Sequence, residues 1–304
     1  MTIDINQDIS ALFHEKRLTL DSLKLVEVGK LPNQRTLIIP DPGYTIVDMD
    51  LDRADAQFVA WEANDESLKS ILKEGLDLHW ENAKAIWGEH VGKKSPERQL
   101  AKRFCHAVNY GAYPKKLAKS LGITLRTAEW IYARWFQIHP GIREWHKRIK
   151  ADLYSSRLVR NPFGYEHYFF DRPEKCVNEA LAWGPQSSVG IIINTAWDNI
   201  DRNLPEVEVL MQVHDSLTMQ VKTELTLELL PKIQAQSLIA VPYADPLIIP
   251  VGFKISDVSW GDASDPCEPI DEKDPSKGIK NPHLNLLLKQ GLANAKRQAA
   301  PQLA

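Results

Sequence analysis

Tyr44-Thr45-Ile46-Val47-Asp48-Met49-Asp50-Leu51-Asp52 is the stretch on which the fold turns. Alternation with period two places Val47, Met49 and Leu51 on one face of a strand and Asp48, Asp50 and Asp52 on the other. The turn signal Pro40-Asp41-Pro42-Gly43 precedes it, and from Ala54 to Trp61 the apolar period becomes helical. Carboxylates sharing one strand face repel: at an effective dielectric near 20, two unit charges roughly 4 Å apart cost about 4 kcal/mol. Either a fully solvated edge strand or bound cations would offset that repulsion. A further carboxylate, Asp215, stands in the tight turn His214-Asp215-Ser216 between two apolar segments, 207–213 and 217–221, that read as a hairpin. It is either a turn former or a partner for the strand carboxylates. Two such groups suit magnesium, which takes one or two protein carboxylates and completes its octahedron with water and phosphate oxygens.

Outward from this strand the chain is mostly helical. Helices are predicted over 67–74, 77–88, 95–112, 114–121, 124–138 and 140–157, then a short hairpin opened by Asn161-Pro162-Phe163-Gly164, and a long helix over 174–203. After the hairpin at 207–221 a helix is expected at 223–239 and a strand at 247–255. Past Gly261 an acidic, Pro-punctuated tail reads as partly disordered. Strands, a large helical insertion, then more strands argue for an α+β fold. There is no internal repeat.

The composition, 304 residues with 43% hydrophobic and 25% charged, excludes a disordered or fibrous protein. The start, MTIDINQDIS, has no basic stretch or apolar core, and no apolar run reaches the length of a span, so a cytoplasmic protein outside the membrane is expected. Cys105, Cys176 and Cys267 are odd in number and widely spaced, which supports buried free thiols rather than disulfides or a thiolate zinc site. The net charge of −3 conceals a polarised distribution. Residues 92–160 hold 16 Lys/Arg against four acids, a balance of +12. Such a block is either a solvated helical face or a surface for a polyanion.

A third constellation lies inside that block: Arg98-x-x-x-Lys102-x-x-x-His106-x-x-x-Tyr110-Gly111. Steps of four residues advance a helical side chain by about 40°, so Arg98, Lys102 and His106 form one slowly winding stripe. Arg and Lys suit a triphosphate as fork and point charge, and a flat ring can pack on sugar or base. A basic surface face with Tyr110 in the core would give the same pattern.

Taken in order and spacing, Asp50-x-x-x-x-Asp55, the Arg98 to Gly111 helix and Gln212-Val213-His214-Asp215 resemble the three polymerase motifs of family A DNA polymerases, the bacterial repair polymerase and its phage relatives. Gly75-Leu76-Asp77-Leu78-His79 is similar to their GxDxH segment, Phe136 to Gly141 to an FxxxPG turn, and Gly184-Pro185-Gln186-Ser187-Ser188 to a PxQG-like helix start. The resemblance runs from about Leu31 to Gly261.

It implies a right-hand palm built on an antiparallel sheet, in two parts at 41–66 and 178–261, with a helical fingers insertion at 67–177. A lead-in at 1–40 and a tail at 262–304 would flank them. Asp50 and Asp215 would be catalytic and hold two magnesium ions, with the Leu51 carbonyl nearby. Arg98, Lys102 and His79 would meet the triphosphate, His106, Tyr110 and Asp55 would line the rest of the nucleotide site, and Gln186, His214, Lys115 and Lys116 would contact DNA. The reaction implied is in-line attack of a primer 3′-hydroxyl on the α-phosphate of a dNTP. Four positions depart from the pattern: Asp55 replaces a glutamate, His106 a phenylalanine or tyrosine, Gln57 an arginine, and Ser216 a glutamate. Fewer than fifty residues precede Asp50, so thumb and exonuclease domains are expected to be missing or supplied by a separate chain. A primer-template-binding remnant that does not polymerise and a metal-dependent nuclease are the competing expectations.

Overall fold

The computed structural model describes residues 33–267 and 282–300. The first strand, β1 (Tyr44–Leu51), starts after the Pro-Gly turn and is followed by α1 (Ala54–Glu62). Six helices succeed it: α2 (Glu66–Lys73), α3 (Leu78–Trp87), α4 (Pro96–Asn109), α5 (Pro114–Leu121), α6 (Leu125–Ile138) and α7 (Pro140–Ser155). Their starts are set by local chemistry. Asp65, Asp77, Ser95 and Thr124 each accept a hydrogen bond from a backbone N–H in the first turn that has no helical partner. Pro96, Pro114 and Pro140 occupy first-turn positions where a missing N–H costs nothing.

A hairpin of β2 (Leu158–Arg160) and β3 (Glu166–Tyr168) leads into the long α8 (Pro173–Asn203), then β4 (Val207–Val213), β5 (Ser216–Lys222) and α9 (Thr226–Ser237). The short β6 (Ala240–Val241) and β7 (Leu247–Ile248) pair with each other, and β8 (Val251–Ser256) returns to the main sheet. That sheet has the order β4-β5-β1-β8 and is antiparallel throughout. Helix α8 packs against β4 and β5, and α9 against both α8 and β8. A single apolar core runs from Val47 and Met49 in the sheet through Trp135 and Trp145 in the helical region.

The α+β class and the antiparallel sheet agree with the sequence expectation, with three corrections. Strand β1 is interior, flanked by β5 and β8, so a solvated edge strand does not explain its carboxylates. Asp52 lies beyond the end of β1 and is ion-paired to Arg53 at 2.8 Å, rather than standing on the strand face. The expected strand over 247–255 is broken at Pro250, which has no N–H for a ladder and whose carbonyl accepts from the Asp52 N–H at 2.8 Å. Within the tail, part of which is expected to be disordered, residues 282–299 form α10 (Pro282–Ala299), packed on α9 with Leu284 buried. Gly291 permits that approach, since a Cβ there would fall 2.6 Å from Gln234 Oε1. Expectations for residues 1–32, 268–281 and 301–304 fall outside the described residues. No helix of the described residues is long and apolar enough to cross a membrane.

The turn between α6 and α7 is fixed by a buried polar set. His139 Nε2 is 3.1 Å from Asn82 Oδ1, its Nδ1 is 3.2 Å from Asp65 Oδ1, and Gly141 donates its N–H to Asp65 Oδ2 at 3.1 Å. Gly141 cannot be replaced cheaply, because a Cβ would meet the Ala63 carbonyl oxygen at 2.6 Å. This set ties α2, α3, α6 and α7 into one block beside the sheet.

Candidate active site

The register of the sheet brings the two carboxylates together. Asp50 pairs with Ser216 across the β1 and β5 ladder, and the Leu51 N–H donates to the Asp215 carbonyl at 3.1 Å. Asp215 rides on the turn between β4 and β5, where His214 holds a left-handed φ of 56° and its Nδ1 lies 3.1 Å from Asp215 Oδ1. The Asp50 carboxyl is pushed up to about 6, first by desolvation, then by the negative charges of Asp215, Asp48 and Asp52, with Lys254 opposing. Asp48 is buried and accepts from the Thr218 hydroxyl at 3.0 Å.

Among the described residues no three His, Cys, Asp or Glu side chains converge as a metal cage. A pair of hard oxygen donors whose charges repel nevertheless fits a hard divalent cation that brings water and substrate oxygens to its remaining positions. Leu51 is buried and its backbone is held against Asp215, which keeps the end of β1 beside the pair.

Next to the carboxylates a cavity of about 240 Å³ is walled by Asp55, His79, Lys102, His106, Tyr110 and Asp215. With His214, seven of the residues singled out from sequence therefore meet in one space, although they come from α1, α3, α4 with its end, and the β4–β5 turn. Lys102 has no ion pair among the described residues. The His79 imidazole is pushed down, chiefly by burial and then by the positive charge of Lys102, with Arg98 and Arg53 adding and Asp77 opposing. Its Nδ1 is shielded from solvent and unpartnered. His106 places Nδ1 3.8 Å from Asp55 Oδ2 and meets Tyr110 edge-on at 5.2 Å between ring centroids. Burial, reinforced by the negative charge of Asp55, pushes the Tyr110 phenol up.

Arg98 does not line this cavity. Its Nε and Nη2 donate to Asp77 Oδ2 at 3.0 and 2.8 Å. Burial alone would raise the Asp77 carboxyl, but the bonds from Arg98 and from the Trp80 N–H outweigh it and hold the group below its usual range. Gln186, Lys115 and Lys116 are exposed, away from the cavity wall, and His214 borders it. Sequence reasoning assigned no role to Asp77 or to Arg53. Asp77 had a usable signal, since it is both the N-cap of α3 and 21 residues from a fork-shaped partner.

A family model described as DNA polymerase family A matches residues 25–256. The thermostable DNA polymerase I of Thermus filiformis is 26% identical over 228 residues, covering 72% of this chain and 27% of that protein. The DNA polymerase of Mycobacterium phage D29 is 26% identical over 130 residues, 43% of this chain and 21% of that one. A solved structure of the POL domain of Pol1 from M. smegmatis, in complex with DNA primer-template and dNTP, superposes with a TM-score of 0.66 at 21% identity, over 75% of this chain and 42% of that chain. This chain thus spans only about a quarter of the length of those curated relatives. With a family model matched across most of the folded region and a fold in common with a polymerase domain, the chain belongs to DNA polymerase family A.

Proposed function

We propose that the chain is a template-directed DNA polymerase core that adds a dNMP to a primer 3′-hydroxyl. The observation that carries this is the cavity beside the carboxylate pair, with Asp215, the charged neighbour of Asp50, on the sheet side and the Lys102 ammonium and the His79 ring on the helical side. In this reading 41–66 and 178–261 form the palm and 67–177 the fingers, and primer-template DNA, dNTPs and two magnesium ions are its ligands.

Asp50 and Asp215 would hold the metal ions, with the Leu51 carbonyl at hand; the ions, when bound, lower the pKa of the attacking hydroxyl and stabilise charge on the phosphate oxygens. Lys102 presents an unpaired ammonium to the β- and γ-phosphates. His79, kept neutral by burial and its cationic neighbours, donates one ring N–H without adding charge. Arg98 is held by Asp77 and reaches the phosphates by exchanging that carboxylate for a phosphate oxygen. Tyr110, with its edge on His106, forms the floor beneath the templating pair, and Asp55 faces the sugar. Gln186, His214, Lys115 and Lys116 contact the DNA.

Primer extension by the purified chain with magnesium and dNTPs tests the proposal. Extension in the wild type and its loss by about three orders of magnitude in Asp50→Asn and Asp215→Asn, about 4 kcal/mol of transition-state stabilisation, are expected. Binding of primer-template without extension would identify a non-catalytic module, and shortening of the DNA without dNTPs a nuclease.

A further inference from the structure

Arg53 lines the cavity, and no family motif assigns it a role. Its backbone is unusual: φ is 50°, a left-handed conformation that costs a non-glycine residue roughly 1–2 kcal/mol, and it opens α1 without a side-chain cap. Its side chain is heavily committed. Nε lies 3.1 and 3.0 Å from the two Asp52 carboxylate oxygens, Nη2 donates to Asp52 Oδ2 at 2.8 Å, and Nη1 donates to the Leu76 carbonyl at 2.8 Å.

Both ends of this span are anchored. On one side the Asp52 N–H donates to the Pro250 carbonyl at 2.8 Å and the Asp52 carbonyl accepts from Gln57 Nε2 at 2.6 Å, so Asp52 is fixed to the end of the sheet two residues after Asp50. On the other side Leu76 is followed at once by Asp77, which caps α3 and grips Arg98, one helical turn before Lys102.

We propose that Arg53 is a positioning residue: a strut that fixes the end of the strand bearing Asp50 to the turn before α3, and so sets the spacing between the carboxylate pair and the phosphate-facing residues. This rests on the polymerase reading above. A guanidinium is required because one planar group must serve a carboxylate and a carbonyl in different directions, which an ammonium on a flexible stem does poorly. The donors point at Asp52 and Leu76 rather than into the cavity, which makes Arg53 a spacer and not a phosphate ligand. Misplacing reactive groups by about 1 Å costs on the order of 100-fold in rate.

The test uses the full chain and the variants Arg53→Ala, Arg53→Lys and Asp52→Asn, each checked by circular dichroism for folding. In single-nucleotide incorporation, Arg53→Ala should lower kcat by about 10- to 100-fold with KM for dNTP within about threefold, Arg53→Lys should recover only part, and Arg53→Ala combined with Asp52→Asn should be no worse than Arg53→Ala alone. A KM raised tenfold or more with kcat retained would make Arg53 a phosphate contact and overturn the strut. Amide hydrogen exchange gives a readout independent of catalysis. Peptides covering 74–79 should exchange about tenfold faster in Arg53→Ala while those covering 44–51 stay protected. Unchanged exchange at 74–79 overturns the proposal even if the chain proves catalytically silent, whereas absent incorporation by the wild type with the expected exchange change refutes only the polymerase reading.

Discussion

Asp48 and Asp50 are two residues apart on one strand, yet their surroundings assign them opposite tasks. Asp48 faces β5 at the level of Thr218, is buried, and is satisfied by that hydroxyl, so it is part of the fold. Asp50 stands where β1 is about to end, and the negative charges of Asp215 and Asp48 act on it more strongly than the opposing Lys254. Thr218→Val should therefore destabilise the protein by about 1–3 kcal/mol in urea unfolding, because it strands a buried acceptor. The Asp50 prediction has the opposite sign. A carboxyl whose native pKa is raised binds more protons in the fold than in the unfolded chain between pH 3.8 and about 6, so metal-free stability falls as pH rises through that window. In thermal melts with a chelator present, Asp50→Asn should be the more stable protein at pH 7, and the difference should shrink toward pH 4. The alternation that marked both residues was legible in sequence. Which of them would be buried was not, because that depends on partner strands distant in sequence, with Thr218 of β5 and Lys254 of β8 in register with Asp48.

Helix α4 shows how an element is held in place to present its side chains. Its C-terminal Asn109 carbonyl, left over at the helix end, accepts a hydrogen bond from His146 Nε2 of α7 at 2.8 Å. His146 also packs edgewise on Phe136, with ring centroids 5.8 Å apart. Burial pushes its imidazole down to about 4, with Lys150 adding and the Asn109 carbonyl opposing. A histidine neutral in the fold but protonated in the unfolded chain below pH 6.5 contributes stability that is intact above that value and is lost as pH falls toward 4, at most about 3 kcal/mol. His146→Gln should cost stability at pH 7 through lost packing and yet flatten the fall between pH 6.5 and 4.5, as measured by denaturant midpoints at both values. A slope equal to that of the wild type would place the acid lability elsewhere. Most helices were readable from sequence because the chemistry that starts them is local, as the caps Asp65 and Ser95 show in the structure. The break at Pro250 and helix α10 were not read, since each is decided by a distant partner: the Asp52 N–H for the first and the face of α9 for the second.

Across the whole molecule, the +12 block of residues 92–160 coincides with α4 to α7 and β2, the helical mass beside the sheet, while the rest of the chain is acidic. Some of these charges are spent internally, as in Arg148 with Glu62 and Lys147 with Glu144. Lys115, Lys116 and Lys119 on α5 are exposed and unpaired among the described residues. A solvated face and a polyanion-binding face differ in one measurable respect. Each phosphate neutralised by a lysine or arginine releases condensed counterions, so log affinity for a duplex falls with log salt at about −0.9 per contact. If Lys115 and Lys116 touch the DNA backbone, wild-type affinity for primer-template should decline steeply with salt, and Lys115→Ala/Lys116→Ala should make the slope shallower by about 2 while weakening different sequences equally. The incorporation rate at saturating DNA should change little, because neither residue lines the cavity. An unaltered slope in the double variant would return α5 to the solvent and shift the duplex toward α8, where Gln186 is exposed one turn from Trp183 and its stacked partner His167. The two faces thus make separable predictions: losing lysines on α5 changes the salt slope, whereas Gln186→Ala, which removes no charge, weakens binding at every salt concentration and leaves the slope as it was.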